Sequence, residues 1–516
     1  MSWEREVEEI ARRRKLAAEM GGAESVARHR AAGKLPVRER VERLLDAASF
    51  SEIGALTGAA RYDEAGNLAD FTPANVVIGT GSIDGRPVAL AAEDFTIRGG
   101  SSEASVSDKW VWIENLALEM RMPMVRLVDM AGGSVKLVEQ AGATKLPGYP
   151  AWRIGDMLGT VPVVAAALGS VAGLGPVRVI LSHFSVMVKE TSQLFAAGPA
   201  VVARATGEKV AKEELGGAAI HARSTGVVDN EAESEEDAFG QLRRFLSYMP
   251  RNAWELPPRQ APADAPDRRE EGLLSIIPRD RRRPYDARRI LELVLDRGSL
   301  FEIGRFWGRG QITMLGRLDG YPVGVMANDP HFAGGAMTAA AAEKLERFVD
   351  VCDTFHLPIV NFVDQPGMMV GTVAEKQATL RRATRALVAI EQSRVPWLAI
   401  IVRRVFGAGG AGYGRQRDLN LRYAWPSGSW GSIPIEGGVE AAHRRELETA
   451  PDPKARLAEL EERYQRFTSP FRTAERFGVH DIIDPRETRS LLCGWVRQAY
   501  AALPPELGPV RRFMRP

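Results

Sequence analysis

The residues of this chain best placed to do chemistry are glycines. GSVAGLG, Gly169 to Gly175, and VFGAGGAGYG, Val405 to Gly414, each close an apolar run that starts at a Val-Pro pair, Val161-Pro162 or Val395-Pro396. A glycine-rich turn that opens a helix presents backbone N–H groups as fixed dipoles, which suits it to holding negative charge on a reacting oxygen. Glycine permits the required backbone angles and leaves room for a ligand. The usual side chains of catalysis are sparse. Cys352 and Cys493 are the only cysteines, too few for a disulfide framework or a zinc cluster, and they point to a reducing compartment. No metal site is expected. His221, after EELGGA, reads as a hydrogen-bonded structural histidine.

The elements that must position these turns occur twice. Asp84-Gly85 matches Asp319-Gly320, Pro87 matches Pro322, Asp94 matches Asp329, and Gly99-Gly100 matches Gly334-Gly335, each pair 235 residues apart. Lys109 and Lys344, Pro123 and Pro358, and Asp129 and Asp364 keep the same interval. Upstream, LLDAASFSEIG and LVLDRGSLFEIG pair Asp46 with Asp296 and Glu52 with Glu302, now 250 apart, because the loop after Glu52 is the longer one. Such register predicts two similar domains in tandem. Each unit reads as an Asp-Gly hairpin, a Gly-Gly turn, an amphipathic helix (Trp110 to Met120; Ala341 to Phe355) and a buried strand (PMVRLVD; PIVNFVD). Strand and helix alternate, so an α/β fold with largely parallel sheets and right-handed crossovers is expected.

The expected division is an N-terminal domain over residues 1–255 with a helical arm at 1–43, a proline- and charge-rich linker at 256–285, and a C-terminal domain at 286–516. The basic run RDRRRPYD, Arg279 to Asp286, reads as solvated linker. Asp129 and Asp364, at equivalent strand ends, read as shared turn caps. Trp425 and Trp430 read as packing residues. The net charge of +2 over 516 residues gives no reason to expect a nucleic-acid partner. The N-terminal MSWEREVEEIARRRKL is charged where a signal peptide needs an apolar core, and no apolar run reaches the length of a membrane span. A cytoplasmic protein without membrane contact is expected.

Several stretches carry a resemblance: DFTIRGGS (Asp94 to Ser101), the run from Thr191 to Asp229, VDQPGMMVGTVAE (Val363 to Glu375), AWP (Ala424 to Pro426) and DIIDPRETR (Asp481 to Arg489). Over nearly its whole length the chain resembles the carboxyltransferase (β) subunit of biotin-dependent acyl-CoA carboxylases, propionyl-CoA carboxylase type, in the crotonase superfamily. The resemblance implies two tandem crotonase-like domains, each a β-β-α spiral with helices around parallel sheets. It implies carboxyl transfer from carboxybiotin on a carrier protein to the α-carbon of an acyl-CoA, with a thioester enolate and a biotin ureido enolate each held by backbone N–H groups.

On that resemblance the first turn serves the acyl-CoA, with Gly173 and Leu174 as catalytic donors and Ala172 beside them. The second serves biotin, with Gly407, Ala408, Gly409 and Gly410 as donors and Ala411 lining the pocket. Gly99, Gly100 and Ser101 could line the CoA, and Arg98 could face its phosphates. Two departures stand out. The family commonly has a second glycine where Leu174 stands, and its propionyl-type members commonly have an aspartate where Ala411 or Gly412 stands, which leaves the acyl chain open. No Met-Lys-Met biotinylation sequence and no stretch long enough for an ATP-using carboxylase domain is present. A separate biotin carboxylase/biotin carrier α subunit is therefore the expected partner. The resemblance also implies a hexamer in which the N-domain of one subunit faces the C-domain of another, and a place in fatty-acid metabolism. Three other readings stay open: a decarboxylase running the transfer in reverse, a crotonase-like lyase, and a non-catalytic scaffold. A hydratase of the superfamily needs a positioned carboxylate pair, and the first unit shows none.

Overall fold

The computed structural model describes residues 2–144, 146, 148–262, 264–411 and 420–510. Two compact units form, one from the residues up to Glu255 together with the chain from Gly508, the other from Leu256–Leu507.

In the first unit a seven-stranded sheet runs in the order Ser51–Ile53, Val76–Ile83, Arg86–Glu93, Met124–Val128, Val163–Ala167, Phe184–Val188, Asn230–Ala232. The first three strands are antiparallel, and from Arg86–Glu93 onward all neighbours are parallel. The second unit repeats this plan with Phe301–Glu302, Gln311–Leu318, Tyr321–Asn328, Ile359–Gln365, Trp397–Phe406, Leu421–Ala424 and Asp481–Ile482. Every residue of Met124–Val128, Val163–Ala167 and Ile359–Gln365 is buried, as expected of parallel strands covered on both faces. Helices Ser107–Glu119 and Ala339–Thr354 make the crossovers.

Both Asp-Gly pairs close hairpins. Asp84 and Gly85 have φ of 50° and 72°, and Asp319 and Gly320 have 50° and 79°, the left-handed pair that Asp-Gly accepts at a two-residue turn. The upstream repeat explains itself here. The Asp46 carboxylate accepts the N–H groups of Asp84 (3.0 Å) and Gly85 (2.8 Å), and Asp296 accepts those of Asp319 (3.2 Å) and Gly320 (2.8 Å). The aspartate that recurs at an interval of 250 therefore fastens the hairpin that recurs at 235.

The N-terminal segment forms helices Glu4–Ala18, Ala23–Ala31 and Val37–Leu44. It is bonded to its own unit: Arg12 donates to the Leu68 carbonyl (3.2 Å), and the Gly21 N–H donates to the Thr96 hydroxyl (3.0 Å). The stretch after Glu255 wraps along the second unit. The Gln260 N–H meets the Gly320 carbonyl (3.0 Å), and Arg489 reaches the Ala265 carbonyl (2.8 Å). Within RDRRRPYD the arginines are exposed as expected, but Tyr285 is buried and its hydroxyl donates to Asp364 (3.2 Å). The run is thus an anchor as well as a solvated surface. Trp425 and Trp430 pack as expected, their indole N–H groups reaching the hydroxyls of Thr488 (2.9 Å) and Thr473 (3.0 Å). Among the described residues no helix is long and apolar enough to cross a membrane.

Candidate active site

Both glycine turns lie at the carboxyl ends of parallel strands, where open α/β sheets present their ligand crevices. In the first unit the chain leaves Val163–Ala167, passes Ser170–Ala172 and turns at Gly173 into helix Leu174–Ile180. Gly173 has φ 67° and ψ −119°, angles that side-chain-bearing residues avoid. It is exposed, and Ala172 and Leu174 beside it are half-buried, so the backbone at this corner is reachable.

Three segments converge on it. The Ala172 N–H donates to the Met130 carbonyl (3.0 Å), and a β-carbon on Gly132 would sit 2.8 Å from the Ala172 carbonyl oxygen. Ser101 bridges to Gly132, and the Ser102 N–H meets the Gly132 carbonyl (2.9 Å). A β-carbon on Gly100 would stand 2.8 Å from the Asp129 carbonyl. The loop Met130–Gly133 is therefore met by Gly100 and Ser101 on one side and by Ala172 and Gly173 on the other. The Ser101 hydroxyl is buried without a hydrogen-bond partner among the described residues. Arg98 is exposed at the rim.

The second unit builds the same corner. Gly407 (φ 60°) follows Trp397–Phe406 and opens the turn Gly407–Ala411, 234 residues after Gly173. The Met337 N–H meets the Gly367 carbonyl (3.0 Å), and a β-carbon on Gly409 would lie 2.9 Å from the Gly367 carbonyl carbon. Gly407 is half-buried and Ala408 exposed, whereas Gly409 and Gly410 are buried against the chain beneath. Of the four residues expected to supply N–H groups here, Gly407 and Ala408 are the more exposed. The Ala411 side chain and Gly412 to Gly414 lie outside the described residues.

Sequence reading gave no site role to the loops that floor these corners, Met130–Gly133 and Pro366–Met368, although the second lies within a stretch that carries the family resemblance. Their signal is the glycine that follows each buried strand, in DMAGG and DQPG.

Asp129 and Asp364 do not act as turn caps. Each is a fully buried carboxylate at the centre of an ion cluster. Asp129 accepts from Lys34 Nζ (3.2 Å) and Arg40 Nη1 (3.1 Å), and Arg40 also forms two 2.7 Å bonds to Glu235. Asp364 accepts from Arg403 Nε (3.0 Å), Arg404 Nε (2.6 Å) and the Tyr285 hydroxyl. The turn-cap expectation failed because it considered only neighbours in sequence, and these partners are remote.

His29 stands 3.8 Å from Asp129, but burial, with Arg40 and Lys34 beside it, lowers its pKa to about 4 against the opposing pull of Asp129. The ring is neutral near pH 7, so the contact is no ion pair, and its Nε2 bonds the Leu35 carbonyl (3.1 Å). The unfolded chain takes up a proton at His29 near pH 6.5, while the folded chain resists until about pH 4. Stability should therefore fall as the pH drops through that window, by at most about 3 kcal/mol from this group. His29→Gln should flatten that part of the acid slope, read as denaturation midpoints at pH 7, 5 and 4; an unchanged slope refutes the assignment. His221 is structural as expected, its Nε2 2.9 Å from the Leu194 carbonyl.

A second buried network backs the first turn. Arg178, on the helix that Gly173 opens, pairs with Glu93 and reaches Glu114 (3.4 Å). Arg126 pairs with Glu114 (2.8 Å) and donates to the Arg178 carbonyl (2.8 Å). Burial pushes the Glu114 carboxyl up, but the Arg126 and Arg178 guanidiniums outweigh it and hold it below the usual carboxylate range. The second unit has no counterpart: Asn361 replaces Arg126, its side-chain amide buried and unpartnered among the described residues. No group of three or more His, Cys, Asp or Glu able to hold a metal occurs among the described residues.

Comparison with known proteins adds to this geometry. The carboxyl transferase domain model matches residues 28–501. The propionyl-CoA carboxylase carboxyltransferase subunit of Haloferax mediterranei is 34% identical over 501 residues, 96% of each chain. The methylmalonyl-CoA decarboxylase subunit alpha of Veillonella parvula is 33% identical over 473 residues, 91% of each. Among solved structures, a transcarboxylase 12S hexamer with methylmalonyl-coenzyme A and methylmalonic acid bound superposes with a TM-score of 0.87 at 30% identity, covering 99% of this chain and 97% of that one.

Proposed function

Since the chain belongs to the carboxyl transferase domain family, the carboxyltransferases of biotin-dependent acyl-CoA carboxylases, we propose that its two glycine corners divide the reaction between them. The Gly173 and Leu174 N–H groups hold the thioester oxygen of an acyl-CoA, and those of Gly407 and Ala408 hold the ureido oxygen of biotin. The observation that carries this reading is the duplicated corner itself: a left-handed glycine at the same place in both units, with reachable backbone on one side and a glycine loop as its floor on the other.

Among the described residues of the second corner, Gly407 and Ala408 fit a biotin ring, because they offer reachable backbone and no side chain larger than a methyl group. Carboxybiotin, when bound, supplies carbon dioxide and a ureido nitrogen that takes the α-proton of the acyl-CoA. What the chain itself does is bind, orient and stabilise. As the α-proton leaves, negative charge grows on the thioester oxygen, and N–H dipoles already aimed at that oxygen lower the barrier without having to reorient. Gly99, Gly100 and Ser101 line the approach to the first corner.

The chain works as a hexamer, as the 12S relative's hexamer supports, and takes its biotin, in the cytoplasm, from a separate carrier subunit. The acyl chain and the direction of transfer are separate questions. A decarboxylase subunit at 33% identity supports the reverse direction as a second reading.

Purified chain with free biotin tests the proposal. Biotin-dependent decarboxylation of malonyl-CoA or methylmalonyl-CoA is the expected result. CoA binding without turnover across a panel of acyl-CoAs would instead make the chain a scaffold.

A further inference from the structure

The two buried aspartates share a position but not their cations. The repeat intervals and the sheet registers agree, Val125 pairing with Val164 as Val360 pairs with Leu398. With these registers, Gly169 corresponds to Arg403 and Arg40 corresponds to Ile290. A β-carbon on Gly169 would lie 2.0 Å from Asp129 Oδ1, so no side chain fits there beside the carboxylate as it is held now, with Arg40 arriving from helix Val37–Leu44. In the second unit Arg403 stands at that very position and folds back onto Asp364, while Ile290 lies buried where an arginine would otherwise enter. One unit has Arg40 with Gly169, the other Ile290 with Arg403.

We propose that Asp129 and Asp364 are positioning residues, each locking the strand end that carries a glycine corner, and that the two units complete this lock with exchanged arginines.

The carboxylate is the constant part, and in each unit the arginine it holds is bonded to or carried by the chain that leads into the glycine corner. Arg40, held by Asp129, donates to the Leu168 carbonyl (3.1 Å) on the chain leading to Gly173. The backbone N–H of Asp129 meets Glu93 (3.1 Å), which holds Arg178 on the helix beyond the turn. Arg404, held by Asp364, donates to the Gly334 carbonyl (2.6 Å), so one side chain joins the Gly-Gly turn to the strand leading to Gly407. Mere neutralisation of a buried charge would not call for a glycine wherever the arginine comes from elsewhere. The paired exchange indicates that one guanidinium site beside the carboxylate can be filled from either direction, by Arg40 in the first unit and by Arg403 in the second, where Arg404 adds a further contact.

The test rests on the ligand assignment of the proposed function and is built to separate the two. Asp129→Asn and Asp364→Asn are assayed in the free-biotin decarboxylation of malonyl-CoA. Asp129→Asn should lower kcat/KM for the CoA thioester roughly 10²-fold, the scale of a misplaced reacting group, with KM for biotin unchanged. Asp364→Asn should do the reverse. Equal losses for both ligands in each folded variant, or no loss, overturn the positioning role. If each variant damages one ligand but in the opposite assignment, the locks stand and the pocket assignment falls.

Thermal denaturation gives a readout that needs no turnover. Arg403→Gly should lower Tm, and adding Ile290→Arg should restore part of the loss. A double variant less stable than Arg403→Gly alone overturns the exchange.

Discussion

Leu174→Pro is expected to lower kcat in free-biotin decarboxylation by about 10²–10³-fold, the usual loss when one oxyanion donor is removed. Leu174 is the first residue of helix Leu174–Ile180. Proline is accepted there, because its fixed φ suits the first helical turn and the N–H it lacks has no intrahelical partner at that position. The substitution therefore deletes the proposed donor with little change in the backbone. Leu174→Ala keeps the N–H, loses the half-buried side chain and should stay near the parent rate. Gly173→Pro would be a poorer probe, since φ at Gly173 is 67° and proline requires about −65°. A folded Leu174→Pro protein that turns over as fast as Leu174→Ala would remove this N–H from the mechanism.

Arg178→Met should destabilise the first unit by roughly 3–5 kcal/mol, as breaking a buried ion pair usually does. Arg178 and Glu93 are only 2% and 6% exposed, so water cannot take over the lost contact. Glu114 keeps Arg126, whereas Glu93 is left with the Asp129 N–H. The stranded carboxylate should dominate the loss, so Glu93→Gln together with Arg178→Met should be more stable than Arg178→Met alone. Urea midpoints measure both. Unchanged midpoints, or a double variant weaker than the single one, would show that the pair does not hold the helix behind Gly173.

Much of the fold was legible in the sequence because its signals are local. An Asp-Gly pair between apolar runs contains its own turn geometry, and a run such as MVRLV or IVNFV declares a strand covered on both faces. Repetition at a fixed interval then converted local signals into an architecture, and the family motifs pointed to the two glycine corners. Which glycines offer their backbone was not legible, because Gly407 and Gly409 look alike in sequence. Only packing against Gly367 buries the second and leaves the neighbourhood of the first open.

The buried charges were hidden for the same reason. Arg40 meets Glu235 across 195 residues and Asp129 across 89, while Arg403 meets Asp364 across 39. Each looks like an ordinary surface residue until the sheet closes over it. The sequence by itself determined the two scaffolds and where their corners fall, since backbone turns and strand patterns are written in adjacent residues. The tertiary structure alone decided which carboxylates lie in the dark and which cations reach them, since desolvation and ion pairing depend on partners that the chain brings together only when folded.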